Sequence, residues 1–534
     1  MTKKVIIVDS LAEDAVSLLA STEGLVVEDV HGADLQGKLA AARDANAIVV
    51  RSATKIDGAF LSECQHLQIV VRAGVGVDNI DVPEATRRGV VVENVPEGNI
   101  RSAAEHTIAM LLAVCRRIPQ SSMRMKEGGW DRSAFVGTEF LDKTLGVVGL
   151  GKIGRQVLQM ATCLGMQTIG FDPFISKQVA EDLGLDLFED LGELSKRADF
   201  LTIHVPLSPQ TRGLVSSEVL REARPGIIVV NCARGGIIDE DALLAGLDSG
   251  VVAGAAIDVF EQEPPGLTPL VQHPKVVTTP HLGASTREAQ QSVAISAARQ
   301  VVDFLAHGRL TSPVNTVVLD ADLKAHAAPY AELAFRLGHL QSQLLEGNPQ
   351  RLRVAFYGDS FDGDVQSYIA SGVVAGFLHD RSARPVNAVN ARHLAADMGI
   401  TVELSNEGKS RYFHRLVKVT VVDSTGRREV GGTIRGQRGL RLVTLDDYQF
   451  DAVLEGNLLL VRNEDRPGMI AVISHELAAK NVNISYMSLG RDRSGGTAVA
   501  LVNLDDPIPD EIAGAVERCD GVLWARLAKL SQRS

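Results

Sequence analysis

Short apolar runs alternate with helical stretches over the first 315 residues of this 534-residue chain. In residues 4–95, four runs are typical of buried strands: Lys4–Asp9, Ala47–Ser52, Leu67–Gly74 and Gly89–Val95. Six more follow: Thr144–Gly149, Gln167–Phe171, Phe200–Val205, Gly226–Asn231, Gly254–Phe260 and Lys275–Thr279. Strands that alternate with helices form parallel sheets. The pattern therefore predicts two α/β layers, the second a doubly wound sheet of six strands.

Two long helices are predicted to connect these layers. Ser102-Ala-Ala-Glu105 has the spacing of a capping box and would begin a helix that runs to about Arg117. Ser285-Thr-Arg-Glu288 repeats the spacing before a second helix, which would end at His307-Gly308. Because the second helix returns the chain to the first layer, we expect a discontinuous first domain, 1–98 and 284–315, with a second domain, 99–283, inserted in it.

The C-terminal third mixes helices with antiparallel strands. A strand-like run, Arg351–Tyr357, precedes a hairpin pattern, Leu416–Val422 and Glu429–Ile434, that turns at Asp423–Gly426. From residue 458 the order is strand, helix, two strands, helix, strand. We therefore expect an α+β intervening domain over 316–455 and a βαββαβ domain over 456–534.

Gly149, Gly151 and Gly154 follow the first strand of the second layer with the spacing G-x-G-x-x-G. In this motif the glycines make a tight turn, let the backbone approach a pyrophosphate at a helix N-terminus and let the helix pack on the strand. Asp172 ends the next strand, where a carboxylate accepts hydrogen bonds from an adenosine ribose and repels a 2′-phosphate. A turn that binds nothing is the alternative. Since strand, glycines, helix, strand and acid occur in the required order, the sequence predicts an NAD site.

Composition and charge narrow the class of partner. The chain is 45% hydrophobic and 22% charged, as is typical of a globular protein, and has no apolar run long enough to span a bilayer. Its net charge of −12 argues against nucleic acids and membranes as partners. The five cysteines are scattered without a CxxC motif, which favours a reducing cytoplasm and predicts neither a disulfide framework nor a metal site.

An acidic protein that binds an anionic substrate needs a local cluster of arginines. Arg51-Ser52 ends one predicted strand of the first layer, and Arg72 ends another, before a glycine-rich loop. Each arginine alone is more often a surface residue. Because ligands bind at the carboxyl ends of parallel strands, the two arginines together predict an anion-binding site at this edge of the first sheet.

Candidate catalytic residues follow the strands of the second layer. Most histidines are structural, but His281 follows a buried strand and a proline at the edge expected to hold the cofactor. Glu263, from the neighbouring loop, is expected to orient this imidazole and stabilise its protonated form. Arg234, before a Gly-Gly turn, is suited to bidentate binding of a substrate carboxylate. Oxidation of a 2-hydroxy acid needs a group that anchors the carboxylate, a base for the hydroxyl proton and a hydride acceptor.

These motifs resemble the D-2-hydroxyacid dehydrogenase family over residues 1–315. The resemblance implies that Arg234, Glu263 and His281 form the catalytic triad and that NAD is the cofactor. The positions it implies for NAD binding lie at the strand ends of the second layer: Gly149, Gly151, Lys152, Ile153, Gly154, Asp172, His204, Val205, Pro206, Cys232, Ala233, Arg234, Asp258, His281 and Gly283.

The arginines and the βαββαβ tail, which is similar to an ACT regulatory domain, resemble the long-form phosphoglycerate dehydrogenase branch of that family. The resemblance implies oxidation of 3-phospho-D-glycerate to 3-phosphohydroxypyruvate, the first step of L-serine biosynthesis, in a cytoplasmic homo-oligomer, either dimer or tetramer. It implies serine as effector between paired ACT domains, near Asp465 and Asn483. The substrate-binding positions it implies are Arg51, Ser52, Arg72, Asn99 and, from a partner subunit, Arg132.

Two other functions remain open at this point. The first is another D-2-hydroxyacid dehydrogenase of the same fold, such as a glyoxylate or hydroxypyruvate reductase, against which the arginines and the ACT-like tail count. The second is a corepressor-like binding protein that senses NAD(H), against which the intact triad counts. Turnover with a 2-hydroxy acid would exclude the second.

Overall fold

The computed structural model describes residues 2–358, 361–410, 412–436, 439–505, 508–509 and 511–530. The outermost ends of the predicted domains, Met1 and residues 531–534, lie outside this range. The described residues contain four β-sheets. Within them, no helix combines the length and the apolar character that crossing a membrane requires.

The first sheet has five parallel strands in the order β2-β1-β3-β4-β5, which is the order of flavodoxin-like folds. The sequence pattern predicted four of them and missed β2, an edge strand whose residues are only partly buried and which ends in two acids. The elements are β1 (Lys3–Ile7), α1 (Glu13–Ala20), β2 (Leu25–Asp29), α2 (Leu35–Ala42), β3 (Ala47–Val50), α3 (Gly58–Glu63), β4 (Ile69–Arg72), α4 (Val82–Arg87) and β5 (Val91–Asn94).

Helix α5 (Ile100–Cys115) carries the chain into the second sheet, and α6 (Ile118–Lys126) and a 3₁₀ turn (Arg132–Phe135) follow. The predicted capping box was wrong. Helix α5 begins two residues before Ser102, whose hydroxyl donates to the carbonyl of Asn99. The Glu105 side chain pairs with Arg101 one turn away instead of reaching back to a cap.

The second sheet has seven parallel strands, in the order β12-β11-β10-β9-β6-β7-β8, so the predicted number of six was wrong. The additional strand, β8, is three residues long and lies at the edge, partly exposed. The elements are β6 (Thr144–Val148), α7 (Lys152–Cys163), β7 (Gln167–Phe171), α8 (Lys177–Asp182), β8 (Asp186–Phe188), α9 (Leu191–Arg197), β9 (Phe200–Ile203), α10 (Ser217–Glu222), β10 (Ile227–Asn231), α11 (Glu240–Ser249), β11 (Val252–Ile257), α12 (Pro269–Gln272) and β12 (Val276–Thr278).

Helix α13 (Arg287–His307) returns the chain to the first sheet. Its N-cap is Thr286, which accepts from the N–H of Ala289, and not the predicted Ser285. Val293, Ala297 and Val301 pack in one apolar cluster with the buried strands of the first sheet. Burial of a valine side chain such as Val293 or Val301 stabilises a fold by roughly 1.5–3 kcal/mol. The second sheet is therefore inserted in the first, as the predicted fold class requires.

The C-terminal third forms two further sheets, and the predicted hairpin and the predicted βαββαβ order are both confirmed. The third sheet, β14-β13-β15-β16-β17-β18, packs on two long helices, α14 and α15. A side chain at Gly338 or Gly376 would collide with the backbone of the facing helix, so these glycines permit the close crossing. The elements are α14 (Ala321–Leu344), β13 (Pro349–Tyr357), α15 (Gly363–Leu378), α16 (Ala391–Asp397), β14 (Thr401–Asn406), β15 (Leu416–Asp423), β16 (Arg427–Arg435), β17 (Gly439–Leu445), β18 (Tyr448–Val453), β19 (Gly456–Glu464), α17 (Met469–Ala479), β20 (Ile484–Arg491), β21 (Thr497–Leu504), α18 (Ile512–Glu517) and β22 (Val522–Leu530).

Candidate functional site

The glycine motif forms the turn between β6 and α7. Gly149 has a φ of +90°, a left-handed conformation that glycine adopts without strain. A side chain at Gly154 would collide with the carbonyl of Gly149, so this glycine lets the helix pack against the turn. Apart from the two adjacent residues of the chain, no heavy atom lies within 4 Å of the point where a Cβ of Gly151 would be. The N-terminus of α7 therefore faces open space, and the turn fits a pyrophosphate.

Asp172 lies at the end of β7, beside the glycine turn. Its Oδ2 accepts from the N–H of Leu150 at 2.9 Å, and its Oδ1 accepts from the N–H of Phe174 at 2.9 Å. These bonds fix the carboxylate and leave each oxygen a second lone pair. The residue is thus suited to accept hydrogen bonds from ribose hydroxyls, as the sequence predicts.

The other residues predicted to bind NAD lie at the ends of β6, β9, β10, β11 and β12. His204 is hydrogen-bonded to the Thr202 hydroxyl, and burial lowers the pKa of this histidine to about 4, so its imidazole is neutral at pH 7. Burial raises the pKa of the Cys232 thiol to about 12. Lys152 forms an ion pair with Glu97, which joins the nucleotide turn to the first domain. Val205 packs beside Gly149, and Ile153 packs on the core below the turn, while Pro206 is exposed.

Arg234 is held by a turn at the end of β10. The buried Asn231 side chain accepts from the N–H of Ala233 at 3.0 Å and donates to the carbonyl of Arg234 at 2.9 Å. The Arg234 Nε donates to Asp78 Oδ2 at 3.1 Å. A side chain at Gly76 would collide with the guanidinium, so the glycine-rich loop after β4 makes room for it.

His281 and Glu263 form a hydrogen-bonded pair. The distance from His281 Nδ1 to Glu263 Oε2 is 2.9 Å, and Glu263 Oε1 accepts from the N–H of Phe260 at 3.1 Å. Burial acts to raise the pKa of the Glu263 carboxyl, but the hydrogen bond and charge of His281 hold this pKa below its ordinary value. Because Nδ1 is bonded to the carboxylate, Nε2 is the ring atom that remains to accept a proton.

A cavity of about 620 Å³ joins these groups between the first sheet, the second sheet and α13. Its lining includes the three predicted catalytic residues and four of the five predicted substrate residues: Arg234, Glu263, His281, Arg51, Ser52, Arg72 and Asn99. Lys55 and Asp78 also line it, and the sequence pattern singled out neither as a site residue. Four cationic side chains (Arg51, Lys55, Arg72 and Arg234) face two carboxylates (Asp78 and Glu263). The cavity is therefore locally positive in a protein of net charge −12.

Two buried polar atoms of this cavity have no hydrogen-bond partner among the described residues: Arg72 Nε and Asn99 Oδ1. Burial and the neighbouring guanidinium of Arg234 lower the pKa of Arg72 to about 10, so Arg72 is charged at neutral pH. Buried polar groups are usually paired, since an unpaired one costs free energy. A bound anion that reaches Arg72 would supply the missing acceptor.

Arg132, Asp465 and Asn483 lie away from this cavity. Arg132 lines a separate groove of about 360 Å³ with Trp130 and Met125. Asp465 lines a groove of about 710 Å³ between β19, α17 and β20, and its Oδ2 accepts from the N–H of Gly495. Asn483 does not line that groove, and its amide donates to Asp505 at 2.7 Å. Within one chain the two predicted effector residues are thus not brought into a common pocket.

Asp258 is hydrogen-bonded to the loop that carries His281 and Gly283. Asp258 is fully buried, and its Oδ2 accepts from the N–H of Gly283 at 3.0 Å. His106, which the sequence pattern did not single out, lies 3.2 Å from Asp258 Oδ1. No motif marks His106, because it precedes Asp258 by more than 150 positions in the chain.

Known proteins are similar to this chain over nearly its whole length. The family model of the D-isomer-specific 2-hydroxyacid dehydrogenase NAD-binding domain matches residues 108–283. Those of the D-3-phosphoglycerate dehydrogenase intervening domain and of the ACT domain match 326–446 and 457–521. The D-3-phosphoglycerate dehydrogenase of Methanocaldococcus jannaschii is 37% identical over 97% of this chain and 98% of its own length. That of Bacillus subtilis is 36% identical over 99% of both.

Solved structures share the fold of the first two domains. A crystal structure of a Thermus thermophilus protein, 31% identical, superposes with a TM-score of 0.53 over 58% of this chain and 99% of its own. A glyoxylate reductase from Paecilomyes thermophila, 25% identical, gives a TM-score of 0.54 over 59% of this chain and 98% of its own. These similarities and the geometry of the cavity lead to one conclusion. The chain belongs to the D-3-phosphoglycerate dehydrogenase family, within the NAD-dependent D-2-hydroxyacid dehydrogenases.

Proposed function

We propose that this chain oxidises 3-phospho-D-glycerate to 3-phosphohydroxypyruvate with NAD, the first step of L-serine biosynthesis. The observation that carries the proposal is that the Glu263–His281 pair opens into a cavity lined by four cationic side chains. The substrate carries a carboxylate and a phosphate at its two ends, and a positive cavity favours a molecule with two anionic groups. The M. jannaschii and B. subtilis relatives both bear the name of this activity.

His281 is the proposed base. Its Nδ1 is hydrogen-bonded to Glu263, so Nε2 takes the proton from the substrate's C2 hydroxyl. The imidazole then becomes positively charged, and the adjacent Glu263 carboxylate stabilises that charge. Bound NAD supplies the hydride acceptor for C2.

Arginines are the proposed anchors of the substrate. Arg234 binds the carboxylate with its planar guanidinium, and its bond to Asp78 fixes the orientation of that plane. Arg51, Ser52, Arg72 and Asn99 line the same cavity and are the proposed contacts of the phosphate end. The unpaired Arg72 Nε, a donor without an acceptor, supports this assignment.

The proposed cofactor contacts follow the strand ends of the second sheet. The N-terminus of α7, with Gly149, Gly151 and Gly154, binds the pyrophosphate, and Asp172 binds the adenosine ribose. The remaining predicted contacts come from the loops after β9, β10 and β11 and from the His281 loop.

Another D-2-hydroxyacid dehydrogenase activity is the main alternative. The glyoxylate reductase from Paecilomyes thermophila shares the fold of 59% of this chain. Glyoxylate has one carboxylate and no phosphate, so the group formed by Arg51, Lys55 and Arg72 would have no second anion to bind. The NAD(H)-sensing alternative leaves the hydrogen-bonded Glu263–His281 pair without a role.

We also infer that the chain acts as a cytoplasmic homo-oligomer. The five cysteines are free, which suits a reducing compartment. Large apolar side chains are exposed on α6 and the segment after it: Ile118, Met123, Met125, Trp130 and Val136. An apolar surface of this kind favours a second copy. Arg132 belongs to the same surface, which is consistent with the expectation that it reaches a partner's cavity.

Serine is the proposed effector of the ACT domain, acting on kcat and not by competition. Asp465 and Asn483 would bind its ammonium and carboxylate groups where two ACT domains meet. Hydrogen bonds join the ACT domain to the intervening domain, and the intervening domain to the first domain, which contributes to the cavity. The Tyr486 hydroxyl of β20 donates to the carbonyl of Asp451 in β18, and Asn387 of the intervening domain donates to the carbonyl of Gly89 in the first domain.

The Asp172 carboxylate is expected to set the choice of cofactor. The wild type should prefer NAD to NADP at least about tenfold in kcat/KM, because the carboxylate repels a 2′-phosphate. Asp172→Asn removes the charge and should reduce that preference several-fold. Asp186→Asn removes an exposed acid of the same sheet and should leave it unchanged. Steady-state kinetics with both cofactors give the ratio, and equal use of NAD and NADP by the wild type would refute the assignment.

The Arg72→Ala variant tests the phosphate site. It removes a charged donor and should lower kcat/KM for 3-phosphoglycerate by about 10–100-fold, from the roughly 1.5–3 kcal/mol of a charged hydrogen bond. Unphosphorylated 2-hydroxy acids such as D-glycerate should be little affected. Arg88→Ala, at an exposed arginine directly after α4 that pairs with Glu84, is the control. An equal loss on both kinds of substrate would contradict a phosphate contact.

Asn483→Ala is expected to abolish inhibition by serine without changing uninhibited activity. In the wild type, serine should lower kcat and leave KM for 3-phosphoglycerate unchanged. The matched control is Asp505→Ala, which removes the intrachain hydrogen bond of Asn483 but keeps its amide, and which should remain inhibited. Calorimetry that detects no serine binding to the wild type at millimolar concentration would reject this regulation.

A further inference from the structure

Asp258, at the end of β11, holds the loop that carries His281. Its Oδ1 accepts from the N–H of Leu282 at 2.7 Å, and its Oδ2 accepts from the N–H of Gly283 at 3.0 Å. Its backbone carbonyl accepts from the N–H of His281 at 2.8 Å. Three consecutive N–H groups of the loop are thus bound by one fully buried residue.

The backbone of His281 needs this support. Its φ is +56°, in the left-handed region that costs free energy for a residue with a Cβ. Such a conformation persists where surrounding contacts hold it. A shift of the Asp258 carboxylate would therefore move the imidazole of His281 relative to Glu263.

His106, on α5, contacts the same Asp258 oxygen as the N–H of Leu282. Its Nε2 lies 3.2 Å from Asp258 Oδ1 and 3.2 Å from Thr279 Oγ1. The Thr279 hydroxyl donates to Asp258 Oδ1 at 2.5 Å, which leaves its oxygen free to accept. The N–H at His106 Nε2 is then shared between these two oxygens. Burial acts to raise the pKa of the Asp258 carboxyl, but hydrogen bonds from His106, Thr279 and Leu282 hold it below its ordinary value.

A cation site is the alternative interpretation of this cluster. In the part of the chain that the structure describes, His106, Cys232 and Asp258 are the one group of three side chains placed to share a metal ion. Burial raises the pKa of Cys232 to about 12, so it is a protonated thiol. Both Asp258 oxygens already accept from backbone N–H groups that a cation would displace. The contacts favour a hydrogen-bond network.

We infer that His106 is a positioning residue for the reaction: it fixes the Asp258 carboxylate, which in turn holds the left-handed loop of His281 against Glu263. The inference rests on the dehydrogenase function proposed above. It extends the functional machinery to α5, the helix that begins directly after Asn99 of the substrate cavity. His106 itself does not line that cavity.

Two substitutions of His106 separate positioning from simple packing. His106→Leu introduces an apolar side chain of similar size and removes the N–H, so Asp258 loses one of its donors. His106→Gln places an amide N–H near the position of Nε2 and should restore the contact. Because small misplacements of a catalytic group are costly, we expect kcat of His106→Leu to fall about 10–100-fold. His106→Gln should remain within about threefold of the wild type.

The KM for substrate and the affinity for NADH, measured by fluorescence, should stay within about threefold of the wild type in both variants. His66→Leu, at an exposed histidine of the first domain, should leave kcat unchanged. A kcat of His106→Leu equal to that of the wild type would overturn the inference. An equal loss of kcat in His106→Leu and His106→Gln would also overturn it, because it would indicate packing alone.

A second readout does not depend on the substrate. The protein is labelled with NMR-active isotopes at its histidines and measured without ligands, and the signal of the His281 ring is assigned by its loss in His281→Ala. This signal should shift or broaden in His106→Leu. In His106→Gln it should keep its wild-type position. If the wild type does not oxidise 3-phosphoglycerate, the proposed function fails, and this spectrum still decides the positioning role. An unchanged His281 signal in His106→Leu would contradict that role.

Discussion

The hydrogen bond between His281 and Glu263 is the interaction on which the proposed chemistry depends. The two residues come from loops after different strands, β12 and β11, which are neighbours in a parallel sheet. Parallel strands bring the loops at their carboxyl ends to one edge, and the pair forms there. The His281–Glu263 pair therefore forms only when β11 and β12 are paired in the second sheet. The pair also needs a left-handed backbone at His281, which Asp258 holds.

The insertion of one α/β domain in the other supplies the second constraint. Helices α5 and α13 connect the two sheets, and the cavity lies where both begin. One sheet provides Arg51 and Arg72, and the other provides Arg234 and the His281 pair. Positive charge is concentrated between the domains although the protein as a whole is acidic. Glycines at 74 and 76 make this possible, because a side chain at either would collide with a guanidinium.

Much of this arrangement could be predicted from local patterns. The βαβ glycine motif, the buried strands and the βαββαβ order depend on residues close in the chain, and the fold class was confirmed. The edge strands β2 and β8 were missed because exposed strands lack a continuous apolar run. Lys55, Asp78, His106 and Thr279 were missed because their contacts join distant segments that no spacing reveals. The effector pair, Asp465 and Asn483, lies apart within one chain, so its role stays a prediction.

The most direct test of the central claim is the turnover of the His281→Ala variant. This change removes the proposed base and leaves the glycine turn and Asp172 in place. We expect kcat for 3-phosphoglycerate oxidation to fall by about 10²–10⁴-fold. NADH affinity, measured by fluorescence on the same preparation, should stay within about threefold of the wild type. A near-normal kcat with intact NADH binding would show that His281 is not the base.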